Sequence, residues 1–128
     1  MSLRDHLSVL VVDDMSTTRG ILGQMFDTLG IVHVDFAKNG STALARAQFD
    51  PPMLVLSDLH MPGMDGLALL AALRQEPLTR ETPFILMTDR ADPAVMAAGG
   101  ALAMDGVLPK PFDIEMLRSG LEAVMGRL

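Results

Sequence analysis

Cysteine, tryptophan and tyrosine are all missing from this chain of 128 residues. Without cysteine there is no disulfide framework and no thiolate metal site. Nor is there any apolar run close to the roughly 20 residues that span a bilayer. The N-terminal Met1-Ser2-Leu3-Arg4-Asp5-His6 lacks the long apolar core of a signal peptide. These absences point to a cytoplasmic protein with no membrane insertion. Positive charge is scarce too: ten Lys and Arg stand against sixteen Asp and Glu, a formal net charge of −6. The ten are scattered, so no basic stripe is offered to a phosphate backbone, which argues against direct nucleic-acid binding.

What the chain does have is apolar content, at 49%. That is ample for one core, and the length fits a single domain over residues 1–128. The apolar runs are short and rich in β-branched residues: Leu7 to Val12, Ile31 to Ala37, Met53 to Ser57, Phe84 to Met87 and the weaker Gly106 to Pro109. Helix-length segments separate them. Ser16 is placed to cap Thr17 to Leu29, and Asn39 to cap Gly40 to Gln48. Asp65 precedes Gly66 to Arg74, Asp92 precedes Pro93, and Asp113 precedes Ile114 and the last helix. Strand and helix thus alternate along the whole chain. Strands that are apolar without clean alternation are buried on both faces. The expectation is an α/β fold, with a parallel sheet between two layers of helices. Pro109 is tolerable in the fifth strand only at a sheet edge. Gly99-Gly100 is expected to weaken the fourth helix of this series.

The residues that close the strands carry the chemistry. The first strand ends at Asp13-Asp14, the third at Asp58, the fourth at Thr88 and the fifth at Lys110. Ligands of open α/β sheets bind at the carboxyl ends of the strands. Three carboxylates, a hydroxyl and an ammonium should therefore converge. Acids packed together resist ionisation unless a cation intervenes. Hard oxygen ligands with room for water suit Mg²⁺, with Mn²⁺ as an alternative. Such a site fits phosphoryl transfer, and a carboxylate can itself act as the nucleophile. Asp58 is the candidate nucleophile, Asp13 and Asp14 the metal ligands, and Thr88 and Lys110 the partners of the phosphoryl oxygens.

Asp13-Asp14, "SDLHMPGMDG" (57–66), Thr88 and "PKPF" (109–112) together resemble the receiver domain of two-component response regulators. "VVDDMSTTRGIL" is similar to the small single-domain chemotaxis regulators of the CheY type. The resemblance implies a doubly wound (βα)5 flavodoxin-like three-layer sandwich, its parallel sheet in the order 2-1-3-4-5. It implies Asp58 as phosphoacceptor and Mg²⁺ held by Asp13, Asp14, Asp58 and the backbone carbonyl of His60. It also implies Thr88 as the switch hydroxyl, Lys110 as the bridging lysine and a cis Lys110-Pro111 peptide. A sensor histidine kinase would supply the phosphoryl group. The face formed by the fourth and fifth strand-following helices and the fifth strand would bind an output protein, the flagellar motor switch being one candidate. No output domain is expected after Leu128, and a monomer is expected. The protein is expected to be a phosphoacceptor that modifies and restores itself, rather than a turnover enzyme.

Three positions depart from the family pattern. Val107 stands where an aromatic is usual, Asp89 where a small residue is usual, and His60 where the side chain often tunes hydrolysis. Val107 removes the usual coupling between hydroxyl and aromatic, so switching is expected to lean on the helix loosened by Gly99-Gly100. Asp89 is expected to repel the phosphoryl group or to compete for Lys110 or the metal. Two alternatives follow. One is a degenerate or phosphate-sink receiver. The other is an aspartyl-nucleophile phosphatase, against which His60 stands where such enzymes carry their second acid.

Overall fold

The computed structural model describes residues 2–128. Five parallel strands run in the order β2-β1-β3-β4-β5. They are β1 (Ser8–Val12), β2 (His33–Ala37), β3 (Leu54–Asp58), β4 (Phe84–Thr88) and β5 (Gly106–Pro109). The helices are α1 (Leu3–His6), α2 (Ser16–Leu29), α3 (Gly40–Phe49), α4 (Gly66–Gln75), α5 (Pro93–Ala101) and α6 (Ile114–Met125). The expected fold class and strand order are therefore found. Pro109 lies on an edge strand, as its missing N–H requires.

Period-two alternation divides the sheet between two cores. Val9 and Val11, Leu54 and Leu56, Ile85 and Met87 pack on one face with Leu22, Phe26 and Leu29 of α2 and Leu117 and Leu121 of α6. Leu10 and Val12, Val55, Phe84 and Leu86 pack on the other, with Ala43 and Ala47 of α3 and Leu69, Leu70 and Leu73 of α4. The three central strands are thus apolar on both faces, which hides their alternation in the sequence. Edge strand β2 alternates openly, with His33 and Asp35 exposed.

Two local features differ from the sequence expectation. The short α1 is additional; the Asp5 carboxylate accepts from the Ser2 N–H and hydroxyl at 3.3 and 3.1 Å. Ser16 does not cap α2 but is its first helical residue, and Met15 holds the N-cap position without a side-chain bond. The turn closes one residue early because Asp13 Oδ1 accepts from the Met15 N–H at 2.9 Å. Gly99 and Gly100 both fall within α5, near its end. A Cβ at Gly99 would collide with the Met104 side chain, so this glycine admits a close contact. Gly100 faces open space.

Candidate functional site

The carboxyl ends of β1, β3, β4 and β5 meet at one end of the sheet. Parallel pairing puts them there: Asp58 lies beside Met87, and Thr88 beside Pro109, one residue before Lys110. The carboxylates of Asp13, Asp14 and Asp58 converge, with one oxygen of each within 4.8 Å of the others. Asp13 is fully buried and Asp58 nearly so, while Asp14 is exposed. The Lys110 ammonium lies 3.1 Å from Asp58 Oδ1 and 3.5 Å from Asp13 Oδ2. The Lys110 N–H also donates to the Thr88 carbonyl at 2.8 Å, and the Lys110-Pro111 peptide is cis.

One lysine does not neutralise three acids. Burial pushes the Asp58 carboxyl above the ordinary carboxylate range; Lys110 opposes this, and the charge on Asp13 adds to it. Asp13 Oδ2 is buried with no hydrogen-bond donor, although the Lys110 charge is near. A buried carboxylate oxygen without a donor, next to two further acids, is what a hard divalent cation relieves. The donor set therefore fits Mg²⁺ or Mn²⁺. His60 is exposed, and it lies two residues beyond Asp58 in the loop that leaves β3.

Thr88 is buried, and its hydroxyl is engaged by the following loop. Its Oγ1 accepts from the Arg90 N–H at 3.0 Å and donates to the Arg90 carbonyl at 3.1 Å. Asp89 is exposed and makes no ion pair with Lys110, whose charge is spent on Asp13 and Asp58. The expected competition of Asp89 for Lys110 is thus absent from this state. Both residues border one hollow, with Thr18, Ile21, Met25 and Phe112. Val107 is half-buried opposite Leu86, in β5 beside the site strand β4. A separate hollow lies along β2 between His33, Asp35, Arg46 and Phe49 and holds none of these residues.

Two residues of this site were not singled out in the sequence. Gly66 packs so close behind Asp58 that a Cβ there would collide with the Asp58 carbonyl. Arg19 donates from Nη1 to the Asp13 carbonyl at 2.8 Å. The sequence signal for the glycine was its place after the Asp65 cap. For the arginine there was only its position one turn into α2.

Residues 9–122 match the family model of the response regulator receiver domain. Over all 128 residues the chain is 37% identical to a probable chemotaxis protein CheY of Rhizobium etli, covering 99% of that protein. It is 29% identical over 122 residues to the chemotaxis protein CheY of Pseudomonas aeruginosa, covering 95% of this chain and 98% of that one. Among solved structures, Vibrio cholerae chemotaxis protein CheY4 superposes with a TM-score of 0.87 at 32% identity, over 93% of this chain and 98% of that chain. The chain belongs to the response regulator receiver family.

Proposed function

We propose that this receiver accepts a phosphoryl group on Asp58 from the phosphohistidine of a sensor histidine kinase, in a chemotaxis-like two-component pathway of the cytoplasm. The observation that carries this reading is the meeting of Asp13, Asp14 and Asp58 at one sheet end with Lys110 3.1 Å from Asp58. An oxygen of the ionised Asp58 carboxylate forms the new O–P bond. The P–N bond breaks, and the imidazole leaves with the electron pair and takes up a proton. Lys110, already on Asp58, is placed to follow charge onto the phosphoryl oxygens. Asp13, Asp14, Asp58 and the His60 carbonyl would hold Mg²⁺, which supplies neutralising charge to the transferring oxygens.

Thr88 must give up both bonds to Arg90 before its hydroxyl can turn toward a phosphoryl oxygen. That exchange would remodel residues 88–92 and bias α5 and β5, which form the proposed output face with α6. The partner on that face would be a protein, the motor switch being one candidate. Water at the aspartyl-phosphate returns the resting state, so the chain modifies and restores itself without turning over a substrate. His60, two residues after Asp58, and Asp89, next to Thr88 at the end of β4, would set the lifetime of the phosphorylated form.

Incubation with Mg²⁺ and acetyl phosphate, followed by intact mass measurement, tests the proposal. The expected result is one phosphate-sized adduct, base-labile and absent from Asp58→Asn. No adduct on the wild type would leave a degenerate receiver.

A further inference from the structure

Four long helices begin on a side chain that accepts from the helix's own backbone. Asn39, Asp65, Asp92 and Asp113 take the N–H of Thr42, Ala68, Val95 and Met116 at 2.8, 2.8, 2.9 and 2.9 Å. The exception is α2, the helix that follows the acid pair. Its N-cap is Met15, which has no side-chain acceptor to offer. The Asp13-Asp14-Met15 turn therefore needs another restraint.

Asp13 and Arg19 supply it between them. The Asp13 N–H donates to the Ala37 carbonyl at 3.1 Å. Asp13 Oδ1 accepts from the Met15 N–H at 2.9 Å. The Asp13 carbonyl accepts from Arg19 Nη1 at 2.8 Å, a charge-assisted bond at normal length. Every polar group of this buried residue then has a hydrogen-bond partner except Oδ2, which has only the Lys110 ammonium at 3.5 Å. The carbonyl held by Arg19 also belongs to the peptide plane from which Asp14 departs. Fixing that plane fixes the backbone from which the exposed second acid projects.

We infer that Arg19 is a positioning residue for the acidic site, acting through the Asp13 carbonyl to set its affinity for a divalent cation. The inference rests on the proposed reading of Asp13, Asp14 and Asp58 as a Mg²⁺ site. Two effects of the guanidinium oppose each other. Its charge repels an incoming cation, so charge alone would make Mg²⁺ bind more tightly once Arg19 is removed. Its hydrogen bond pre-orients two ligands, so positioning makes Mg²⁺ bind more weakly. The sign of the change separates them.

Calorimetric titration with Mg²⁺ alone, without a phosphodonor, measures that sign. Arg19→Ala should lower the affinity about tenfold, the low end of what removing an outer-shell partner does. Arg19→Lys keeps one N–H donor and the charge and should recover most of the loss. Melting curves add a readout that a merely structural role would not move. The rise in Tm produced by saturating Mg²⁺ should shrink in Arg19→Ala and return in Arg19→Lys. Arg19→Met, which keeps the apolar stem, carries the same expectation if the alanine variant does not fold. Equal or tighter Mg²⁺ binding in the Ala or Met variant overturns the inference and leaves the metal site standing. A wild type that binds no Mg²⁺ overturns the metal site and the inference together.

Discussion

The two ends of the sheet treat a buried charge in opposite ways. At the carboxyl end, three acids converge, one lysine pairs with two of them, and Asp13 Oδ2 has no hydrogen-bond donor. At the amino end, Arg74 of α4, its side chain 14% exposed, sits among an excess of acceptors. Its Nε donates to the Leu102 carbonyl at 2.9 Å, and Nη1 to those of Thr82 and Arg80 at 2.7 and 3.1 Å. Nη2 takes the Ala103 carbonyl at 3.1 Å and lies 3.5 Å from Asp105. Asp105 in turn accepts from the Phe84 N–H at 2.8 Å, tying the start of β4 to the turn before β5. One end is left short of counter-charge, so that a ligand can complete it. The other is completed by the chain itself, and its work is stability.

Four substitutions break or sharpen this contrast. Arg74→Ala should have the largest effect, a loss of about 3 kcal/mol, because several carbonyls and Asp105 lose their donor at once. Urea unfolding measures it, and Mg²⁺ affinity at the far end of the sheet should not change. A Mg²⁺ affinity that falls with stability would show that the two ends are not independent.

Gly66→Ala strikes the boundary between the regions. Its Cβ meets the Asp58 carbonyl, a backbone atom that cannot swing aside. A loss of roughly 2 kcal/mol is expected, together with slower phosphorylation of Asp58. Acetyl phosphate labelling and urea unfolding on one preparation read both; wild-type labelling would mean that the backbone shifts without moving the carboxyl.

Asp58→Asn should be stabilising, the reverse of Arg74→Ala. Burial raises the Asp58 pKa in the folded state above its ordinary 3.8, so ionisation costs stability. The contribution of this group is fully present below the ordinary carboxylate value and is lost as pH rises through the raised value. At pH 7 without Mg²⁺ the variant should melt a few degrees higher, roughly 2–5 °C, and the gap should close as pH falls toward 4. A gap that widens on acidification would reverse the sign argued here.

The smallest effect belongs to Ala103→Gly. Ala103 follows α5 with a φ of 57°, in the left-handed region, where a Cβ is unfavourable. Its N–H bonds to the Gly100 carbonyl, and the Met104 N–H to that of Gly99, the pattern of a Schellman turn. Glycine should add about 1 kcal/mol in urea unfolding, with Mg²⁺ affinity and phosphorylation unchanged. Destabilisation would mean that the Ala103 methyl matters more than its backbone strain.

Much of the architecture was legible because each element carried its own signal. Asn39, Asp65, Asp92 and Asp113 cap the helices they precede, and the apolar runs became the five strands within two residues. Ser16 misled because the local rule for caps ignores Asp13, whose carboxylate closes the turn first. Thr88 is legible as a hydroxyl closing β4, but its resting bonds to Arg90 are set by the backbone of the following loop. The close approach of Met104 to Gly99 is not legible in the sequence, because it depends on how the chain turns after α5.

The sequence by itself determined the alternation of strand and helix, the capping of four helices and the acid, hydroxyl or lysine closing each strand around the site. Those follow from periodicity and side-chain type within a few residues. Only the tertiary structure decided which charges are satisfied. Parallel pairing brings Lys110 to Asp58 and leaves Asp13 Oδ2 without a donor, and helix packing brings Arg74 to carbonyls 5 to 29 residues away. Satisfaction of a buried charge depends on distances across elements, and no local pattern encodes those.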